Sequence, residues 1–275
     1  MTSPAVIRIT SSSRGVSQPL REMWDYRELL LFLAWRDIQV RYKQTALGAA
    51  WAILQPVLTM VIFSLVFGNF AHIPSDGLPY PLFVYCGLVP WQLFAYALVN
   101  SSNSLVANER LITKVYFPRL LVPIGSVLAG VVDFAFCLIL LLLMMAYYGL
   151  RPGPAMLAAP LFAALALAAA LAVGIGLSAL NVWFRDVRYT VPFLTQLWLF
   201  ATPIAYPASI VPAAWRPWLG LNPMAAVVEG FRWSLLGGPP PSLQLLLLTV
   251  LVVLLALALS LWSFLHVERT FADVI

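Results

Sequence analysis

His72 and Asp76 fall in one turn-rich segment, HIPSDGLPY, and an imidazole beside a carboxylate is the minimum kit for acid–base catalysis or metal binding. Two such residues in a loop holding Pro and Gly make neither a triad nor a closed metal shell, and a structural turn fits them better. His266 closes an apolar run, where an amphipathic ring suits a membrane border. Cys86 and Cys137 both sit inside apolar stretches with no disulfide or zinc spacing, which predicts packing. The only lysines are Lys43 in RYKQT and Lys114 in ITKVY. Neither follows a glycine-rich loop or precedes Ser or Thr, so no phosphate-binding P-loop is written here. Gly174 and Gly176 lie within an apolar run, where small residues let helices approach closely. Nothing in this set resembles an active site, and the chain is expected not to be an enzyme, nor to bind a metal or cofactor itself.

Asp133 is the exception. In VLAGVVDFAFCLI it stands near the centre of an apolar run, where a carboxylate costs roughly 2.5–3.5 kcal/mol to insert. It requires a partner, a watery cavity or a shift toward the interface. With no base in the same run it makes a poor proton relay, which leaves a helix-contact role and a pathway role both open.

The elements that carry these residues follow from composition. Of 275 residues, 62% are hydrophobic and 10% charged; a soluble domain has about 45–50% and about 25%. So apolar a chain predicts an all-α integral membrane protein. A spanning helix needs about 20 apolar residues, and six segments approach that: Ala50–Gly68, Leu82–Val106, Leu120–Tyr148, Ala155–Phe184, the shorter Tyr189–Ala205, and Leu243–His266. The polar opening residues hold no apolar core and predict no cleavable signal peptide. With the N-terminus inside, all but Arg151, Arg216 and Arg232 of the 16 Lys and Arg residues face the cytoplasm, as the positive-inside rule asks. Both termini are then cytoplasmic.

Three further stretches position function. WDYRELLLFLAWRDIQVRYKQT is too interrupted to cross a membrane; Leu31, Ala34, Trp35, Ile38 and Tyr42 recur at helical spacing, predicting an amphipathic helix lying in the cytoplasmic interface. NERLITKVYFPR places Glu109, Arg110, Lys114 and Arg119 between two apolar blocks. Asn108 is a suitable cap, Glu109 and Lys114 suit the two ends of a short helix, and Pro118 suits the first turn of the next. Leu111, Ile112, Val115, Tyr116 and Phe117 add apolar surface, which together with mixed charge suits a protein contact. Pro203, Pro207, Pro212, Pro217 and Pro223 divide the segment before the last span into pieces too short to cross. Two short re-entrant helices entering from outside are expected there, with Glu229 and Arg232 paired at i and i+3 on the second.

The runs TALGAAWAILQPVLTMVIFSLVFGNF, HIPSDGLPYPLFVYCGLVPW, NSSNSLVANERLITKVYFPRLLVPI and LNPMAAVVEGFRWSLLGG, in this order, resemble the permease subunits of polysaccharide-exporting ABC transporters, the Wzm, TagG and KpsM type. The resemblance implies a polar tail at residues 1–24, an interface helix at 25–45 and a six-helix type-2 transmembrane domain at 46–275. It implies a homodimer on two separate ATPase subunits, which bind the ATP and magnesium. Glu109, Arg110, Lys114, Tyr116 and Arg119 would form the helix that couples to the ATPase, and Leu47 and Gly48 the loop between interface helix and first span. The export channel would run between the two copies, with Trp51, Phe63, Phe67, Phe193, Trp198 and Phe200 as candidate lining. Trp215, Gly220, Glu229 and Arg232 would belong to an external gate. The cargo implied is a lipid-linked polysaccharide, such as O antigen, or a teichoic acid. A type-2 permease for drugs or other lipids is the alternative. An integral membrane enzyme acting on lipid-linked sugars would need clustered acids or histidines at one membrane face, and the sequence lacks them.

Overall fold

The computed structural model describes residues 23–43, 48–212 and 214–271. Leu47 and almost all of the polar tail lie outside the described residues. Every regular element among those described is helical. In chain order they are α1 (Arg27–Lys43), α2 (Gly48–Phe63, continued by a wider turn through Phe70), α3 (Tyr80–Ala107), α4 (Glu109–Lys114), α5 (Leu121–Tyr147), α6 (Ala159–Trp183), α7 (Val187–Ala201), α8 (Arg216–Leu219), α9 (Pro223–Phe231) and α10 (Leu243–Val267).

Among the described residues, five helices are long and apolar enough to cross a membrane: Ala50–Phe70, α3, α5, Pro154–Trp183 and α10. The chain is a multi-pass membrane protein. The fifth expected span is realised as α7, which at 15 residues is only about 22 Å long against a hydrocarbon core of about 30 Å. It ends at Ala201 rather than Ala205 because the chain turns extended at Thr202, ahead of Pro203.

α3 is the axis of the bundle. From Leu82 to Leu98 nearly all its residues are buried, against α5, α6, α7 and α9. α6 packs on it and buries the small residues Ala163, Ala166, Ala170 and Gly174. A Cβ at Gly174 would lie 2.6 Å from Ser101 Oγ, and one at Gly176 would lie 2.9 Å from Ser260 Oγ on α10. The two glycines thus serve two different neighbours, and the Ser260 hydroxyl donates to the Ala172 carbonyl. In hydrocarbon, where apolar surface alone drives no association, such close approach and small polar bonds hold helices together. At the same end Asn181 of α6 donates to the Ser102 carbonyl and to Asn103 Oδ1, both at 3.0 Å.

By contrast α2, α7 and α10 leave long apolar faces uncovered, including Trp51, Leu58, Ile62, Phe193, Leu197, Leu247 and Leu254. α2 and α7 are neighbours, joined by Phe63 and Phe200 with ring centroids 6.1 Å apart.

α1 departs from the sequence expectation. It packs lengthwise on α5: Leu30 and Leu33 press on Gly125, and Tyr42 meets Phe136. That contact advances along α5 by about 16 Å at 1.5 Å per residue, so the helix follows a span rather than lying flat in the interface. The expected single stripe is split accordingly. Leu33 and Ala34 are buried, while Leu31 and Trp35 point away.

Candidate functional site

At the end of the bundle where α3 stops, α4 forms as expected and leaves Glu109, Arg110, Lys114, Val115 and Tyr116 exposed. Its inner side is anchored by Ile112 and by Phe117 just beyond it, buried with Leu105, Leu121 and Phe264. These two therefore add no contact surface, and Val115 and Tyr116 are its apolar part. Asn108 does not cap α4; its side-chain amide turns back to the Ser104 carbonyl at 2.9 Å, so it finishes α3 instead. Pro118 precedes the first turn of α5 and offers its carbonyl to the Leu121 amide. Arg119 also differs from the expectation of a contact residue. Its guanidinium donates to the Glu268 carbonyl and its amide to Glu268 Oε1, tying the α4–α5 connection to the far end of α10.

Asp133 finds the base that its own run lacks. Arg41 Nη2 lies 2.5 Å from Asp133 Oδ2, and the Tyr42 hydroxyl donates to Oδ1. The Arg41 guanidinium also lies 4.6 Å from the centroid of the Tyr96 ring. These groups form one wall of a cavity of about 1010 Å³ between α1, α2, α3 and α5, with Gln55, Gln92, Asn100 and Trp51 on the others. Pro56 on this wall withdraws the backbone donor that would have bonded the Ala52 carbonyl, and the Cys137 thiol donates there at 3.4 Å. Both cysteines are buried.

The opposite end holds the Pro-broken segment. α8 is a single turn and α9 continues in a wider turn through Leu236; with a 3-10 turn at Ala208–Ile210, three short helical pieces stand where two were expected. Asn222 is the clasp: its Oδ1 accepts from the Met224 amide and from Trp198 Nε1, and its Nδ2 donates to Thr202 Oγ1. The sequence signal was present in Asn-Pro, a cap followed by proline at the first helical position. Phe231 at the inner end of α9 packs edge-on against Phe134 in the middle of α5.

Arg232 does not pair with Glu229. It is 7% exposed, its terminal nitrogens donate to the Pro203 and Ile204 carbonyls at 2.7 Å each, and its guanidinium carbon sits 3.5 Å from the Phe83 ring centroid. Those carbonyls lie where α7 has ended, so a buried cation satisfies a broken backbone. Glu229 faces a small cavity that Arg232 also lines, with Asp76 and Ser209. His72 and Asp76 both take positive φ in the adjoining loop, as in a turn. Trp215 is exposed, but Gly220 is not: a Cβ there would meet Leu248 Cδ2 at 2.6 Å.

The aromatic candidates divide. Trp51, Phe193 and Phe200 are exposed and Phe67 partly so. Phe63 is buried in the core between Phe67 and Phe200 and lines nothing open. Trp198 is held edge-on to Phe94 with its indole N–H on Asn222.

Residues 28–236 match the family model of the ABC-2 type transporter. The chain belongs to that family. It is 32% identical over 216 residues to the O-antigen export system permease protein RfbA of Myxococcus xanthus, covering 78% of this chain and 82% of the relative. A protein of the same name from Klebsiella pneumoniae is 30% identical, over 77% of this chain and 81% of its own. The polysialic acid transport protein KpsM of Escherichia coli is 28% identical over 76% and 80% respectively. The matched region runs from α1 through the end of the α9 unit, taking in the cavity, α4 and the Arg232 anchor.

Proposed function

We propose that this chain is the membrane-spanning subunit of an ABC transporter that exports a lipid-linked polysaccharide across the bacterial inner membrane. The supporting observation is the similarity to an O-antigen export permease across 78% of the chain. Two copies of the chain enclose the channel, with the uncovered faces of α2 and α7 toward each other and Trp51, Phe193 and Phe200 on its wall. Aromatic faces stack on sugar C–H surfaces without requiring one sugar sequence, which suits a long, varied polymer.

Energy comes from a separate ATPase subunit under each copy, which holds the ATP and magnesium. α4, with Glu109, Arg110, Lys114, Val115 and Tyr116 outward, is the handle it grips; Gly48, at the start of α2, belongs to the adjoining hinge. The end bearing α4 and both termini face the cytoplasm, and the α8–α9 unit is the outer gate. For six crossings to bring the C-terminus back inside, short α7 must count as a span, completed by the chain through Pro203–Ala205 that Arg232 holds.

Deleting the gene is expected to remove the glycan from the cell surface and leave lipid-linked polymer inside, with the wild-type chain restoring export. Restoration should fail with Arg110→Glu combined with Lys114→Glu, although that variant inserts normally, and Tyr116→Ala should restore it poorly. Surface ion pairs alone are worth little, so the Tyr116 result separates a docked apolar handle from simple charge attraction. Full surface glycan in the deletion strain would overturn the reading.

Topology has its own test. Trp218 is 63% exposed on the α8 turn, so Trp218→Cys in a chain lacking Cys86 and Cys137 should react with a membrane-impermeant thiol reagent from outside. A cysteine at Gly220 would report poorly, being packed on Leu248. Reaction of Trp218→Cys from the cytoplasmic side alone would invert the topology.

A further inference from the structure

The cavity between α1, α2, α3 and α5 lies within one copy of the chain and shares Trp51 with the α2–α7 face assigned to the channel. Its size, about 1010 Å³, is at the upper end for small-molecule sites and holds tens of waters. Its polar groups are of two kinds. The charged pair is already spent: Arg41 lies on Asp133 and over the Tyr96 ring, and Tyr42 takes the other carboxylate oxygen. What remains is neutral. Gln55 and Gln92 are amides on two membrane helices, aimed at one space, and each offers two donors and an acceptor. Polar side chains at that depth are costly when they meet hydrocarbon. They lie beside the exposed indole of Trp51 and the Tyr96 ring.

Convergent amides with aromatic faces and no net charge match a neutral sugar ring, whose hydroxyls both donate and accept and whose C–H faces stack. They match a phosphate poorly, since the one cation among the described lining residues, Arg41, is neutralised. We propose that this cavity is a binding subsite within each copy for a neutral glycosyl unit, with Gln55 and Gln92 as its hydrogen-bonding groups and Trp51 as its platform. The assignment rests on the polysaccharide reading of the transporter. It adds a place where a sugar unit is held before or beside the channel.

The test uses the full transporter with its ATPase, in lipid nanodiscs, with a single cysteine at Gln55→Cys or, separately, Gln92→Cys. Small methanethiosulfonate reagents are expected to label both, because the cavity is wet. Hexyl-β-maltoside, below its micelle concentration, should slow labelling at least about fivefold, while hexylphosphocholine at the same concentration should not. Leu54→Cys, on α2 but outside the cavity, should be indifferent to both. In the labelling of Gln55→Cys, adding Gln92→Ala should raise the maltoside concentration needed for half-protection roughly tenfold, as the loss of one or two amide hydrogen bonds implies.

Equal protection by both amphiphiles would mean a general lipid site and overturn the proposal. Protection by the phosphocholine alone would mean a headgroup site and also overturn it. Failure of either cysteine to label without probe would show a closed cavity, with the same consequence. A deletion strain that loses its surface glycan, beside a transporter that shows no maltoside protection, would reject the subsite and leave the export function standing.

Discussion

Arg232→Met should be among the most damaging single substitutions in this chain, costing about 3–5 kcal/mol of folded stability. The methionine fills much of the same space but leaves two buried carbonyls, Pro203 and Ile204, without a donor, at about 1–3 kcal/mol each. It also removes the cation from the Phe83 face. Arg232→Lys should recover part of this, because an ammonium cannot reproduce the planar fork that reaches both oxygens. The measurement is thermal unfolding in detergent together with yield of assembled protein, with Arg216→Ala as control. Arg216 makes comparable bonds to Val211 and Ser209 but is exposed, so water replaces them and the cost is small. Equal melting of Arg232→Met and wild type would mean that the end of α7 is not held by this residue.

The Asp133 cluster should show the next largest effect, and a graded one. Asp133→Leu takes the carboxylate away from the Arg41 guanidinium and the Tyr42 hydroxyl together. A fully buried pair broken in this way costs about 3–5 kcal/mol; Arg41 is 37% exposed, which reduces the expectation to about 1–3 kcal/mol. Asp133→Asn keeps an acceptor for Tyr42 and should lose less. The double variant Arg41→Met with Asp133→Leu should be milder than the sum of its parts, since neither group is left alone. Melting and surface glycan are measured for the wild type, the single variants Arg41→Met, Asp133→Leu and Asp133→Asn, and the double variant. Strict additivity would dismiss the pair as a tie between α1 and α5. Loss of export in Asp133→Asn at full stability would instead favour a pathway role for the charge.

How much of this was legible depended on the range over which each signal acts. Run length and apolarity located the spans, and α4 and the broken segment were readable from local charge and proline. α7 was visibly short in the sequence. The partners of the buried charges were not readable. The i, i+3 spacing pointed Arg232 at Glu229, but the buried Pro203 and Ile204 carbonyls, left without helix partners where α7 ends, take the guanidinium instead. Asp133 looked orphaned because its base lies 92 positions upstream on a helix expected to lie flat. Helical periodicity gives the face of a residue and not the neighbour it meets, so the stripe on α1 was split between α5 and the outside. Phe63, on a helix with an open face, and Gly220, in the turn that follows α8, each point to packed neighbours for the same reason.

The most direct test of the central claim is purification of the tagged chain under mild conditions from a cell making its own surface polymer, followed by mass spectrometry of everything that co-elutes. The account predicts an ATPase subunit in equal amount to this chain and a lipid-linked glycan, with the ATPase lost when Arg110 and Lys114 are reversed to Glu and the chain itself still recovered. A chain recovered without any ATPase, or with an ATPase whose retention ignores that reversal and with lipid but no glycan, would contradict it.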